Sequence, residues 1–322
     1  MDKLEELLLQ YEDRRFVLVH PTGGVGDELI FMGLESKMNE LDIQYRVFLY
    51  EIESRFSRTL VEISKVLSRL GFETLKEMLT DVMNPISDLS NRKVGTINCD
   101  STDIILLRGG AYLNDIWKNY SVLGSALHAI HNRPESVVIV SPQSYYFSDT
   151  WFPRYFIGIE NEVHLFCREK YSYGLLDAIN FPRNVHIHLS KDTAFYCQNE
   201  DFRLESGDES YYLVALRNDR ESVVTWKARQ MSEGIRILFG DVGLLSDFKS
   251  FVNIVGNATK VYTDRLHVAI LSAILEKETY LYPNSYHKNK GVYEFSLRNS
   301  SNVRFINSEI LDFDSFGSFQ AS

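Results

Sequence analysis

The chain has 322 residues, 44% of them hydrophobic and 24% charged, a composition that excludes disordered and fibrous classes and leaves room for two ordinary cores. Its 34 Lys and Arg against 44 Asp and Glu give a net charge of −10, which argues against a broad nucleic-acid or anionic-membrane footprint because those surfaces need clustered positive charge. Three cysteines, Cys99, Cys167 and Cys197, form no CxxC pair, so a reducing compartment, the cytoplasm by default, and no disulfide framework are expected.

The first fifteen residues, MDKLEELLLQYEDRR, are rich in charge and hold no apolar run of signal-peptide type. Leu4, Leu7, Leu8 and Tyr11 fall at i, i+3, i+4 and i+7, which predicts a helix packed onto the body. No window reaches the roughly 20 apolar residues that span a bilayer, so membrane contact is expected to be peripheral at most. From Phe16 onward, short apolar runs alternate with helical periodicity. The runs Phe16 to His20, Tyr45 to Tyr50, Ile104 to Leu107, Val137 to Ser141, Val163 to Cys167 and Val185 to Leu189 read as strands buried on both faces. Glu28 to Leu41, Arg55 to Leu70, Trp117 to His131 and Tyr171 to Ile179 read as amphipathic helices between them. Such alternation predicts a mostly parallel α/β sheet.

Residues 198–210, QNEDFRLESGDES, turn polar and acidic and lose all periodicity, as a linker does. The rhythm then restarts. Strands are expected at Tyr212 to Leu216, Ile235 to Phe239, Lys260 to Thr263, Thr279 to Tyr282 and Val303 to Ile306. Helices are expected near Val242 to Ile254, Leu266 to Leu275 and Lys290 to Leu297, and the tail as a closing helix or a loose end. The reading is two Rossmann-like doubly wound domains facing a cleft, residues 1–197 and 211–322, joined by the 198–210 linker.

Two strand-to-helix turns carry chemistry. Gly23-Gly24-Val25-Gly26-Asp27 follows the first strand and opens a helix, where a doubly wound sheet puts its ligand-facing turn. It is neither a full GxGxxG nor a P-loop, so classical dinucleotide or ATP binding is not expected, and Asp27 alone could account for it as an N-cap. Thr263-Asp264-Arg265-Leu266-His267 also joins a strand to a helix. With Asp264 or Thr263 as cap, Arg265 and His267 occupy the first helical turn, where free N–H groups and the dipole favour anions. Arg offers a planar fork for an oxyanion and His exchanges protons near neutral pH. After the next strand comes Pro283-Asn284-Ser285-Tyr286-His287-Lys288, which leaves the same sheet edge and brings Lys288 toward the same pocket. The His186-x-His188 pair reads as one face of a strand rather than a metal site.

With Pro142-Gln143-Ser144, Arg168-Glu169 plus Tyr173, and Asp192-Thr193-Ala194-Phe195, these motifs follow one another in an order that resembles the polysaccharide pyruvyl transferases, from about Val17 to Tyr293. The resemblance implies a glycosyltransferase-B-like pair of domains. It also implies transfer of the carboxyethylidene unit of phosphoenolpyruvate to a sugar, making a ketal and releasing phosphate, with no cofactor beyond this donor. Arg108-Gly109-Gly110-Ala111 stands where the family commonly has Gly-Gly-Gly-Asn, in the part expected to meet the acceptor. Arg168-Glu169 replaces an Arg-Asp and keeps the acid.

A donor bearing phosphate and carboxylate needs fixed cations, for which Arg265, Arg168, Lys288 and Arg217 are the candidates. His267 is the expected general acid/base, with Arg265 and Lys288 beside it in catalysis. Gly24, Gly26, Asp27, Asn284, Ser285 and Tyr286 are expected to bind substrate, and no metal is required. The C-terminal half is expected to hold the donor and the N-terminal half a sugar acceptor, whether free, nucleotide-linked or lipid-linked. Two rivals remain open: a nucleotide-sugar glycosyltransferase of the same architecture, and a non-catalytic sugar-binding protein.

Overall fold

The computed structural model describes residues 2–50, 97–147, 151–205, 210–226, 236–245 and 247–311. Two parallel sheets form the frame. The first joins β1 (Phe16–Pro21), β2 (Tyr45–Tyr50), β3 (Ile104–Leu107), β4 (Val137–Gln143), β5 (Val163–Cys167) and β6 (Val185–Leu189) in the order β2-β1-β3-β4-β5-β6. Parallel strands are buried on both faces, and β1 shows how. Phe16 and Leu18 pack with α1 (Lys3–Gln10) and α2 (Val25–Glu40), whereas Val17 and Val19 pack on the opposite face with α3 (Ser121–Ile130) and α4 (Lys170–Asp177). The predicted stripe of α1 is the buried one, and Asp2 caps it through the N–H groups of Leu4 and Glu5.

The second sheet joins β7 (Tyr212–Ala215), β9 (Ile237–Phe239), β10 (Lys260–Thr263), β11 (Glu278–Leu281) and β12 (Val303–Phe305) in the order β12-β11-β10-β7-β9, all parallel. A separate two-stranded ribbon pairs β8 (Thr225–Trp226) with β13 (Ile310–Leu311). Against one face lie α5 (Phe248–Gly256), α6 (Leu266–Ile274) and α7 (Lys288–Val292), and their core also takes in Val25 and Leu29 from the start of α2. One helix thus belongs to both halves. The expected α/β architecture with parallel sheets is what forms, and no helix among the described residues is long and apolar enough to cross a membrane.

Several boundaries differ from expectation for local reasons. Strands β2 and β6 end the sheet order and are only half buried, not buried on both faces. The predicted helix Trp117 to His131 begins only at Ser121, because Asn114 accepts the N–H groups of Ile116 and Trp117 and ties the preceding stretch into a loop. The predicted Val242 to Ile254 helix splits into a 3₁₀ turn, Val242–Leu244, and α5, which Asp247 caps through the N–H of Ser250 at 2.7 Å. The tail, expected as a closing helix or a loose end, adds the short strand β13 over its described part, and its residues 312–322 and the predicted helix Arg55 to Leu70 lie outside the described residues.

The topology itself marks a site. In the first sheet β1 sits between β2 and β3, and in the second β7 sits between β9 and β10, so each sheet reverses its winding at these strands. Ligands bind beyond the carboxyl ends of strands at such points. Within the first half, Gly33 of α2 packs on the carbonyl of Thr193, whose hydroxyl donates to the Ile30 carbonyl at 2.9 Å. A Cβ at position 33 would overlap that backbone oxygen. Gly33→Ala is expected to lower stability by about 1–3 kcal/mol, read as a lower urea midpoint at unchanged m, and an unchanged midpoint would show that this contact yields freely.

Candidate active site

The loop after β1 explains its glycines by space. Gly24, extended at φ −77° and ψ 165°, is the N-cap of α2, and Asp27 is not, contrary to the simplest reading of the motif. Asp27 instead sits at the third helical position and accepts the Gly24 N–H at 3.0 Å, which closes the turn from inside the helix. A Cβ on Gly23 would strike the Asp27 carboxylate, and one on Gly26 would lie 2.9 Å from the Cβ of His267. Both positions need glycine because a carboxylate and an imidazole occupy the room.

At the second switch point, neither residue expected as the cap of α6 is its N-cap, although the Thr263 hydroxyl accepts the Arg265 N–H at 2.9 Å. The Thr263 hydroxyl donates to the Ala215 carbonyl at 2.7 Å, and Asp264 accepts the Arg217 N–H at 2.8 Å. Burial pushes the Asp264 carboxyl up to about 6. The N-cap is Arg265 itself, with no side-chain cap, so the start of α6 points its first-turn amides toward the cleft. His267 is the second helical residue. Its Nδ1 lies 4.0 Å from Asp27 Oδ1, and its Nε2 lies 3.6 Å from Asp192 Oδ2 and 3.4 Å from Arg168 Nη1.

A cleft of about 360 Å³ runs between these turns and is lined by Gly24, Gly26, Asp27, Arg168, Arg217, Arg265, His267 and Lys288 among the predicted residues. Asn284, Ser285 and Tyr286 are not among its lining. Asn284 donates to Glu221 at 3.0 Å, Ser285 is exposed, and the Tyr286 hydroxyl lies 3.5 Å from Asn114 Nδ2 with its ring 5.3 Å from that of Tyr146. That loop bridges the two halves, and Tyr286 is 9% exposed with its ring packed against that of Tyr146.

The expected set of free cations is also corrected. Arg217 binds Asp219 through Nε and Nη2, both at 2.9 Å, and Glu221 at 3.1 Å. Arg265 binds Asp241 at 2.6 Å and Asp219 at 3.4 Å, and Lys288 binds Glu221. Glu221, 1% exposed, also accepts the Trp117 indole N–H at 2.5 Å. Burial would raise its carboxyl, but Lys288 and Arg217 outweigh burial and hold it below the ordinary range. Burial pushes Lys288 down to about 8 against the pull of Glu221. Buried cations need counterions, and the acids that supply them, Asp219, Glu221 and Asp241, follow β7 and β9 outside any of the motifs named above.

What stays open is on the side of the first sheet. Arg108, which directly follows β3 and is 2% exposed, has neither Nε nor Nη1 in a hydrogen bond, and its nearest carboxylate is Asp27 at 3.6 Å. Arg168, fully buried, binds Asp192 at 2.6 Å and Ser144 at 2.9 Å but leaves Nη2 without a partner. Arg108 could have been found by the rule that located Gly23 to Asp27, since β3 neighbours β1 at the same switch point. His186 and His188 stack beside His164 at 5.0 and 5.3 Å, and among the described residues no cluster of His, Cys, Asp and Glu is arranged to hold a metal.

A family model described as polysaccharide pyruvyl transferase matches residues 25–286. Among solved structures, a functionally uncharacterized protein from Klebsiella pneumoniae is similar over 95% of this chain and 98% of its own, with 22% identity and a TM-score of 0.62. The E. coli heptosyltransferase WaaC with ADP is more distantly similar, with 10% identity over 90% of this chain and 92% of its own at a TM-score of 0.41. No curated protein matches.

Proposed function

The chain belongs to the polysaccharide pyruvyl transferase family, and from that membership we propose that it moves the carboxyethylidene group of phosphoenolpyruvate onto two hydroxyls of a sugar, forming a ketal and releasing phosphate. The observation that carries this reading is the pair of buried guanidinium groups, Arg108 and Arg168, with unpaired N–H groups in the same cleft as His267 and the uncapped start of α6. Those groups suit a small donor with two anionic ends, because fixed donors in a partly buried cleft bind oxyanions strongly. His267 delivers a proton to C3 of the donor as a hydroxyl adds at C2. The sugar acceptor shares this cleft, whose lining also includes Trp117 and Tyr112.

Phosphoenolpyruvate is expected to raise Tm and nucleotide diphosphate sugars to raise it little or not at all. Arg108→Ala is expected to lower donor affinity by about 1.5–3 kcal/mol in calorimetry. Protection by nucleotide sugars, unaffected by this substitution, would favour a glycosyltransferase. Protection by sugars without any turnover would favour a binding protein.

A further inference from the structure

Ketal formation handles two protons, and the proposed mechanism gives a role to a donor but none to an acceptor. Asp27 lies beside that donor. Its side chain is 28% exposed and lines the cleft. Its Oδ2 is engaged, by the Gly24 N–H at 3.0 Å and by Arg108 at 3.6 Å, while Oδ1 faces His267 Nδ1 at 4.0 Å. The surroundings are cut to fit this pair. Gly23 leaves the carboxylate its space, and Gly26 leaves the imidazole its space. A capping residue alone needs only the first.

We propose that Asp27 is the proton acceptor for both sugar hydroxyls and forms with His267 a relay in the first addition, a role that rests on the transferase reading above. In the first addition the hydroxyl oxygen bonds to C2 of phosphoenolpyruvate and its proton passes to Asp27 Oδ1. The electron pair of the C2–C3 double bond takes a proton from His267, so C3 becomes a methyl group. Asp27 then holds a proton and His267 lacks one, and transfer from Oδ1 to Nδ1 restores both. In the second step the other hydroxyl adds at C2 while the C2–O bond to phosphate breaks with its electron pair. Its proton reaches Asp27 and leaves with the phosphate. One hydroxyl proton ends on C3 and the other on phosphate, and nothing is oxidised or reduced.

The carboxylate form is the one present for this work. Burial would raise the Asp27 carboxyl, but Arg108 and then His267 outweigh it and hold it below the usual range. The same two groups explain how a weakly basic carboxylate serves: it needs to hold the proton only until His267 takes it. Asp192, on the other ring nitrogen, is fully buried and paired with Arg168, so it cannot meet an acceptor.

Asp27→Asn separates this role from capping, since the amide oxygen still accepts the Gly24 N–H. The full-length protein would be assayed for phosphate release from phosphoenolpyruvate with p-nitrophenyl hexopyranosides of gluco, galacto and manno configuration, each of which presents a diol. The expected result is a kcat about 10²-fold lower, with phosphoenolpyruvate affinity by calorimetry equal to or tighter than wild type in a variant that still gives a cooperative melt, at a Tm lowered by the loss of the charge facing buried Arg108. A variant turning over within about threefold of wild type, or losing donor affinity in place of kcat, overturns the assignment and leaves Asp27 a cap. A wild-type protein that releases no phosphate with any of these sugars overturns both this inference and the transferase reading.

Discussion

Replacing His267 with alanine is expected to leave phosphoenolpyruvate binding within about threefold of wild type while lowering turnover by about 10²- to 10⁴-fold. The guanidinium groups of Arg108 and Arg168 and the start of α6, which are the groups proposed to meet the anion, survive this substitution. What disappears is the imidazole, whose side chain is 15% exposed and lines the cleft. Calorimetry with the donor and phosphate release with an acceptor read the two quantities separately. Normal turnover would end the acid/base assignment, and lost binding in a folded protein would make His267 an anion-binding residue.

The positions of His267, Asp27 and the glycines were legible in the sequence because a strand followed at once by a helix leaves a recognisable boundary at a sheet's carboxyl edge. Their partners were not. Nothing local connects Asp192 to His267, yet the end of β6 delivers Asp192 to within 3.6 Å of the ring. The four cations chosen from the sequence were read as ligands because charge alone was visible. In the fold Arg217, Arg265 and Lys288 are neutralised by Asp219, Asp241 and Glu221, and the emptier guanidinium is Arg108, which carried no helical or loop signature of its own.

The fold was legible for a different reason. Ile104–Leu107 is apolar at every position and Val163–Cys167 at all but His164, which only a strand covered on both faces requires, and their observed limits match the runs. Helix starts were harder. Ser121 opens α3 and Phe248 opens α5 only because Asn114 and Asp247 capture the preceding or first-turn amides, and such a side-chain bond is not visible in hydrophobic period. The Asn284-Ser285-Tyr286 segment had motif character but bridges the two halves, and aromatic burial and ligand contact look alike in a sequence.

The buried pair Arg168–Asp192 carries the largest expected stability effect. Both side chains are wholly buried and 2.6 Å apart, so Arg168→Ala strands a carboxylate in the interior, a change that typically costs about 3–5 kcal/mol. Burial raises the Asp192 carboxyl, and Arg168 followed by His267 reverses this and holds it well below the ordinary range. A carboxylate depressed in the folded state contributes stability that is complete above its unfolded pKa of about 4 and is lost as pH falls below that value, so wild type should weaken in acid. Without Arg168 burial dominates and the folded carboxyl rises above the unfolded one. The folded variant then binds a proton more readily than the unfolded chain, and its stability increases as pH is lowered from about 7 to 5, opposite in sign to the wild-type contribution. Adding Asp192→Asn should restore a large part of the loss at neutral pH, since no charge is then left unpaired. Urea denaturation of wild type, the single variant and the double variant at both pH values measures each term. An Arg168→Ala deficit that is the same at both pH values, and that Asp192→Asn does not relieve, would assign the loss to packing around the guanidinium and not to the stranded charge.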